Sequence, residues 1–259
     1  MNCIDCVASV PDTASVIKVG GDGKGIDEAG IKWIVSPYDE YALEEALQLT
    51  EAQGGEVTVV TYGPDSAEAA LRDCLARGAH QAVHVTGGEK TLGDSFTIAK
   101  VLAGVIKDKE FDLVLCGVKG VGTDCAQVGQ MLAELLDIPH VAAITELEVA
   151  DGALTAGRDV EGGKEKIESP LPALLTCQKG LNEPRYAALK GIMAAKRKPV
   201  DKVEVGSMGV EEGAEPFYEV EKFELPPEKA AGTIIQGEDD AAAAAAELVK
   251  LLREEAKAI

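Results

Sequence analysis

At 259 residues, with 45 Asp and Glu against 25 Lys and Arg, the chain is long enough to bury a sizeable core and carries a formal net charge of −20. That charge disfavours a nucleic-acid partner, because such binders take most of their affinity from Lys and Arg neutralising phosphates. No apolar run approaches the roughly 20 residues that span a bilayer, and Met1-Asn2-Cys3-Ile4-Asp5-Cys6 lacks the basic stretch and apolar core of a secretion signal, so the expectation is a cytoplasmic protein without membrane insertion.

Six cysteines, at positions 3, 6, 74, 116, 125 and 177, lie mostly inside apolar runs, which suits reduced, partly buried thiols better than a disulfide framework. Cys3-x-x-Cys6 is badly placed to chelate a metal: strand residues three apart point to opposite faces, and no second Cys or His pair answers it. No metal site is assigned.

Residues 2 to 10 form an apolar run ending at Pro11, and Val16 to Val19 form a short second one before Gly20-Gly21-Asp22-Gly23-Lys24-Gly25. The glycines do not have phosphate-loop spacing and no helix-forming run follows, so a hairpin pairing Val16–Val19 with Ile31–Val35 is predicted. Ser36-Pro37-Tyr38-Asp39 then opens a helix, with Ser36 as N-cap, Pro37 at the first helical position and Asp39 three residues after the cap. Ala42, Leu43, Ala46, Leu47 and Leu49 supply its apolar stripe. Next come a strand at Val57–Tyr62, a turn at Gly63-Pro64-Asp65, a helix to about Arg77, a strand at Ala82–Val85 and a helix from about Ser95 to Lys107. Leu113–Cys116 is the following strand, then a loop, a helix from about Asp124 to Leu136 and a strand near Val141.

Apolar strands that alternate with amphipathic helices predict an α/β fold, a doubly wound, mostly parallel Rossmann-like sheet covered on both faces. Ligands of such sheets bind beyond the carboxyl ends of the strands. Four segments converge on that edge: the strand end near Cys6, the helix start Ser36, Pro37, Tyr38 and Asp39, the strand end at Tyr62, and the loop Gly117-Val118-Lys119-Gly120-Val121-Gly122-Thr123-Asp124-Cys125-Ala126-Gln127-Val128. The loop's three glycines let amides approach a phosphate, a helix beginning near Asp124 would aim further amides and its positive dipole end there, and Lys119 adds a charge. The same residues also read as a plain connection ending in a capped helix.

From Thr145 the texture changes to short runs, Leu147–Ala150, Leu154–Asp159, Lys164–Ile167 and Ala173–Thr176, which read as antiparallel strands added to the core, the middle pair turning at Glu161-Gly162-Gly163. Then come Leu181-Asn182-Glu183-Pro184-Arg185-Tyr186, Leu189-Lys190-Gly191-Ile192-Met193 and the basic Lys196-Arg197-Lys198. Leu189, Ile192 and Met193 fit one face of a short helix packed on the core. Beyond residue 200 the pattern is lost: Val203 to Glu224 is acidic and irregular, Thr233–Ile235 is a candidate strand, and Asp239 to Ala258 reads as an Ala-rich helix. The division expected is 1–200 for the α/β domain and 201–259 for a C-terminal arm that wraps a partner, since a lone arm cannot bury its own apolar face.

Leu-Asn-Glu-Pro-Arg-Tyr followed by Gly-Ile-Met and a basic cluster resembles the signature of the electron transfer flavoprotein beta subunit, including its nitrogen-fixation and bifurcating branches, and the likeness runs in order through about the first 200 residues. The resemblance implies an adenine nucleotide alpha hydrolase-like fold and an alpha subunit as heterodimer partner, which holds FAD. It implies AMP, bound without turnover, on Cys6, Ser36 to Asp39, Tyr62 and Gly117 to Val128. Ala126-Gln127-Val128-Gly129 looks like the bifurcating and nitrogen-fixation branches, where a second FAD takes the place of AMP, whereas Asn182 to Tyr186 has the respiratory form. Residues 181–198 resemble the family's recognition loop, with Leu189 at the anchor position and Arg185, Tyr186, Ile192 and Met193 beside it. Such a loop docks an acyl-CoA dehydrogenase-type donor, from which electrons pass to a quinone oxidoreductase-type acceptor. His80, His84 and His140 are scattered and no triad arrangement appears, so no catalytic residue is named and an electron carrier is expected, not an enzyme. A stand-alone nucleotide sensor of the same core fold is the alternative; it would need neither the loop at 181–198 nor the tail.

Overall fold

The computed structural model describes residues 1–87, 94–208, 220–228, 231–237 and 240–259. Met1–Lys222 forms one compact unit and Phe223–Ile259 a second.

In the first unit the strands are β1 (Cys3–Cys6), β2 (Ser9–Pro11), β3 (Trp33–Val35), β4 (Val57–Tyr62), β5 (Gln81–Thr86), β6 (Leu113–Gly117), β7 (His140–Ala150), β8 (Ala153–Val160), β9 (Gly163–Pro170), β10 (Ala173–Cys177) and β11 (Asp201–Glu204). The helices are α1 (Pro37–Gln53), α2 (Glu68–Arg77), α3 (Ser95–Ile106), α4 (Val128–Leu135) and α5 (Leu189–Ala195). Nine strands make one sheet in the order β11-β5-β4-β1-β6-β10-β7-β8-β9. Every pairing from β11 to β7 is parallel; β8 and β9 add an antiparallel extension.

The two faces are built from alternate residues of the same strands. Cys3, Val57, Val59, Leu113, Leu115 and Leu175 pack under Leu43 and Leu47 of α1 and Leu71 and Leu75 of α2. Ile4, Val60, Val83, Val114 and Leu174 meet Val101, Leu102 and Val105 of α3 and Leu132 of α4. A fully buried leucine such as Leu43 or Leu71 contributes about 1.5–3 kcal/mol. Cys3 and Cys6 fall into opposite clusters, so they cannot share a ligand, and five of the six cysteines are buried, Cys125 being exposed.

The doubly wound sheet follows expectation, but several elements differ. Trp33–Val35 pairs with β2, not with Val16–Val19; Val19 makes only an isolated bridge to Ile26, because the tight turn of Gly20 onto Gly25 closes that excursion on itself. Ala173–Cys177 is not an added antiparallel strand: it lies parallel between β6 and β7 in the buried centre, which its unbroken Ala-Leu-Leu-Thr-Cys suits. The runs near Val141 and at Leu147–Ala150 are one strand, β7, and the hairpin of β8 and β9 turns as expected, Val160 opposite Gly163. The sheet continues past residue 200, where β11 pairs with β5.

In the second unit, residues 231–237 form no strand at Thr233–Ile235. The helix is α6 (Ala241–Glu254), begun by Asp240, whose carboxylate accepts from the amides of Ala242 and Ala243 at 3.0 Å each. Asp239, the expected helix start, and residues 209–219 of the expected irregular stretch lie outside the described residues.

Candidate functional site

Parallel pairing brings the carboxyl ends of β1, β4 and β6 to one edge, and the chain turns there into the first turn of α1 and into the loop after β6. Asp39 binds three of these segments together. Its Oδ2 accepts from the amide of Ala8 at 2.7 Å and its Oδ1 from the amide of Gly117 at 2.8 Å. Ser36 caps α1 through its carbonyl, which accepts from the amides of Asp39 and Glu40, and its own amide donates to Ala8. Its hydroxyl, expected to cap the helix, instead lies fully buried with no partner among the described residues. Gly117 is needed for the close approach: a Cβ there would meet Tyr38 Cβ at 2.7 Å, the Asp39 amide at 2.8 Å and the Asp39 carboxylate itself.

Burial raises the Asp39 carboxyl to about 7 against the pull of its two amide bonds. Asp5, on the same face of β1, is fully buried with neither oxygen partnered among the described residues; burial, and then the charge of Asp39, push it well above the usual range. Both shifts favour the neutral carboxyl, which lowers the repulsion a bound anion would meet. Sequence reading missed Asp5; an acid in the middle of an otherwise apolar central strand was the available signal.

The loop after β6 differs from the expected shape. The helix begins at Val128, four residues later than predicted, because Asp124 and Ala126 have φ of 51° and 50°, which a right-handed helix cannot include. Gly122, at φ 101°, Asp124 and Ala126 alternate with residues of ordinary negative φ. Such alternation turns successive amides to one side as a concave anion-binding nest. Among the described residues, the amides of Gly122, Thr123 and Ala126 donate to no protein group, whereas those of Val118 and Asp124 are taken by Cys177 and Gly120. Lys119 lies 3.0 Å from Asp124 and over the Tyr38 ring at 5.7 Å, so its charge is shared with the loop's own acid.

Of the residues predicted for this rim, Ser36, Pro37, Tyr38, Asp39 and Gly117 are brought together; Tyr62 ends β4 on the same edge, half-buried. The Cys6 side chain belongs to the cluster under α3 and α4 and does not join Asp39; what Cys6 brings to the edge is main chain. Val128 packs against that same cluster, and Gly120, Val121, Cys125 and Gln127 complete the loop.

A second feature is the strap from Leu181 to Lys198. Tyr186, Leu189 and Met193 are 93%, 77% and 58% exposed, with Ile192 also exposed, so α5 turns this face outward instead of packing it on the core. Arg185 points the other way: Nε donates to Glu44 at 2.8 Å and Nη1 to Glu51 at 2.5 Å, both carboxylates of α1. These bonds, first to Glu51 and then to Glu44, raise the guanidinium pKa further. Asn182 donates to Glu45 at 2.9 Å and to the Tyr41 carbonyl at 3.0 Å. Glu44, Glu51, Arg72 and Arg77 were not singled out from the sequence, since charges on helix faces read as solvated.

The model of the electron transfer flavoprotein domain family matches residues 24–208. The chain is similar to the electron transfer flavoprotein subunit beta of Bacillus subtilis, 49% identical over 237 residues that cover 90% of this chain and 91% of that one. The subunit of the same name from Mus musculus is 33% identical over 243 residues, covering 93% and 94%. Protein FixA of Azotobacter vinelandii is 38% identical over 221 residues, covering 82% and 78%.

Proposed function

Since the chain belongs to the electron transfer flavoprotein family, as a beta subunit serving electron transfer, we propose that it is the non-catalytic half of a heterodimer whose alpha subunit holds FAD, and that it presents residues 181–198 to an acyl-CoA dehydrogenase-type donor before electrons pass to a quinone oxidoreductase-type acceptor. FAD supplies the electron chemistry, and this chain supplies orientation and docking. The single observation that carries the docking is Leu189, 77% exposed at the first turn of α5 beside Tyr186 and Met193. One leucine filling a partner's pocket contributes about 1.5–3 kcal/mol, enough to position a transient complex.

At the rim the residues fit an adenylate. The buried Ser36 hydroxyl and the amides of Gly122, Thr123 and Ala126, unpartnered among the described residues, offer donors to a phosphate and sugar, and burial shifts Asp5 toward its neutral form, which opposes an anion less. The role of AMP is architectural: it joins the loop of residues 117–128 to the start of α1. Among the described residues nothing at the rim forms a nucleophile and base pair aimed at a phosphate, which is the reason for reading the nucleotide as held, not turned over.

Replacing Leu189 with Ala is expected to slow reduction of the heterodimer by its donor roughly tenfold, at about 1.4 kcal/mol per factor of ten, with bound nucleotide and flavin unchanged. Parallel loss of nucleotide and donor activity would make Leu189 structural.

A further inference from the structure

The strap that carries α5 is held by cations of α2 and of the strap itself; Arg72 and Arg77, each also paired with an acid of α2, Glu68 and Asp73, reach from that helix to strap carbonyls. Arg72 of α2 donates through Nη1 to the carbonyls of Ala195 at 2.9 Å and Lys198 at 2.5 Å, the end of α5 and the turn after it. The Ala195 carbonyl also accepts from the Lys198 amide at 3.3 Å, so one guanidinium ties the turn that closes α5 to α2. Lys198 Nζ in turn donates to the Ala79 carbonyl at 2.6 Å. At the other end Arg185 forks Glu44 and Glu51, and Arg77 donates to the Arg185 carbonyl at 3.3 Å and to Glu40 at 2.5 Å. Between these ends α5 lies directly on α2: a Cβ on Gly191 would run into the Ala76 carbonyl.

We propose that Arg185 and Arg72 are positioning residues for donor docking, struts that hold the strap at both ends so that Leu189 is presented in one place before the donor arrives. This rests on the docking reading above. A loop already ordered in its bound shape does not lose that freedom on association, so the struts tighten the encounter without touching the donor. Arg185, expected from the sequence to contact the partner, acts instead through α1. Arg185 and Arg72 grip different helices, so either end can be released separately.

The test uses the intact heterodimer, with an acyl-CoA dehydrogenase reduced by its acyl-CoA as donor and the heterodimer as the varied substrate. Arg185→Gln and Arg72→Gln are expected to raise KM roughly fivefold to tenfold with kcat, flavin and nucleotide content unchanged, and Arg185→Gln adds little to Leu189→Ala because the two act on one contact. Glu51→Gln, at an exposed carboxylate, reproduces part of the rise without endangering the fold, and amide hydrogen exchange over residues 183–199 speeds up in each strut variant. If Leu189→Ala raises KM and the strut variants do not, the struts are ornament and the proposal fails while the docking reading stands. If Leu189→Ala has no effect, the docking reading itself fails. Loss of flavin or nucleotide in the strut variants would assign them to general stability and overturn the proposal.

Discussion

Asp5 and Asp39 show how one residue type takes two roles in one buried site. Asp39 has two amides to receive and is raised to about 7; Asp5 has none among the described residues, and burial pushes it well above the usual range. Both carboxyls hold their protons to higher pH in the folded chain than the ordinary value of 3.8. As pH rises above about 4 the unfolded chain releases those protons first, so their contribution to stability falls with pH, through about 7 for Asp39, and in the same direction for Asp5. Replacing Asp5 with Val removes an unpartnered buried acid and is expected to raise unfolding free energy by about 1–3 kcal/mol, more at pH 8 than at pH 5, in denaturant titrations at the two values. An equal gain at both would show that the folded chain does not hold this proton.

At the scale of elements, long apolar runs were legible because their patterning is strong. Val57–Tyr62 and Leu113–Cys116 read directly as buried parallel strands, and the Ser36-Pro37 start of α1 is where local chemistry put it. What the sequence alone did not reveal depends on partners far along the chain. Ala173–Cys177 follows two antiparallel runs, and only its place between β6 and β7 makes it a central parallel strand. The late start of α4 depends on Asp124 and Ala126 in left-handed conformations that neither residue type announces. The rim was located by strand-end reasoning, but the Asp39 bridge that joins it required the fold, since Asp39 and Gly117 are far apart in sequence. Gly117→Ala would force the first turn of α1 away, with an expected loss of about 1–3 kcal/mol and of bound nucleotide, whereas Gly120→Ala, whose nearest neighbour would be Thr123 Oγ1 at 3.3 Å, leaves both close to the original. Nucleotide content and denaturant unfolding of the pair check this.

For the whole molecule, the formal net charge is −20, and among the described residues no helix is long and apolar enough to cross a membrane. The first unit carries the rim at the carboxyl edge of its sheet, and α1 runs from that rim to the acids that grip the strap of residues 181–198. In the second unit α6 is 14 residues long and Ala-rich, a length at which an isolated helix is marginal. Membership of the family replaces the stand-alone sensor reading, for which the strap and the arm would have no use. The central claim is that the rim holds an adenylate for architecture while the flavin lies with the partner. Denaturing the purified heterodimer and counting what it releases tests this most directly: one FAD and one AMP per heterodimer are predicted, and two FAD with no AMP, or no adenine nucleotide beyond the single flavin, would contradict it.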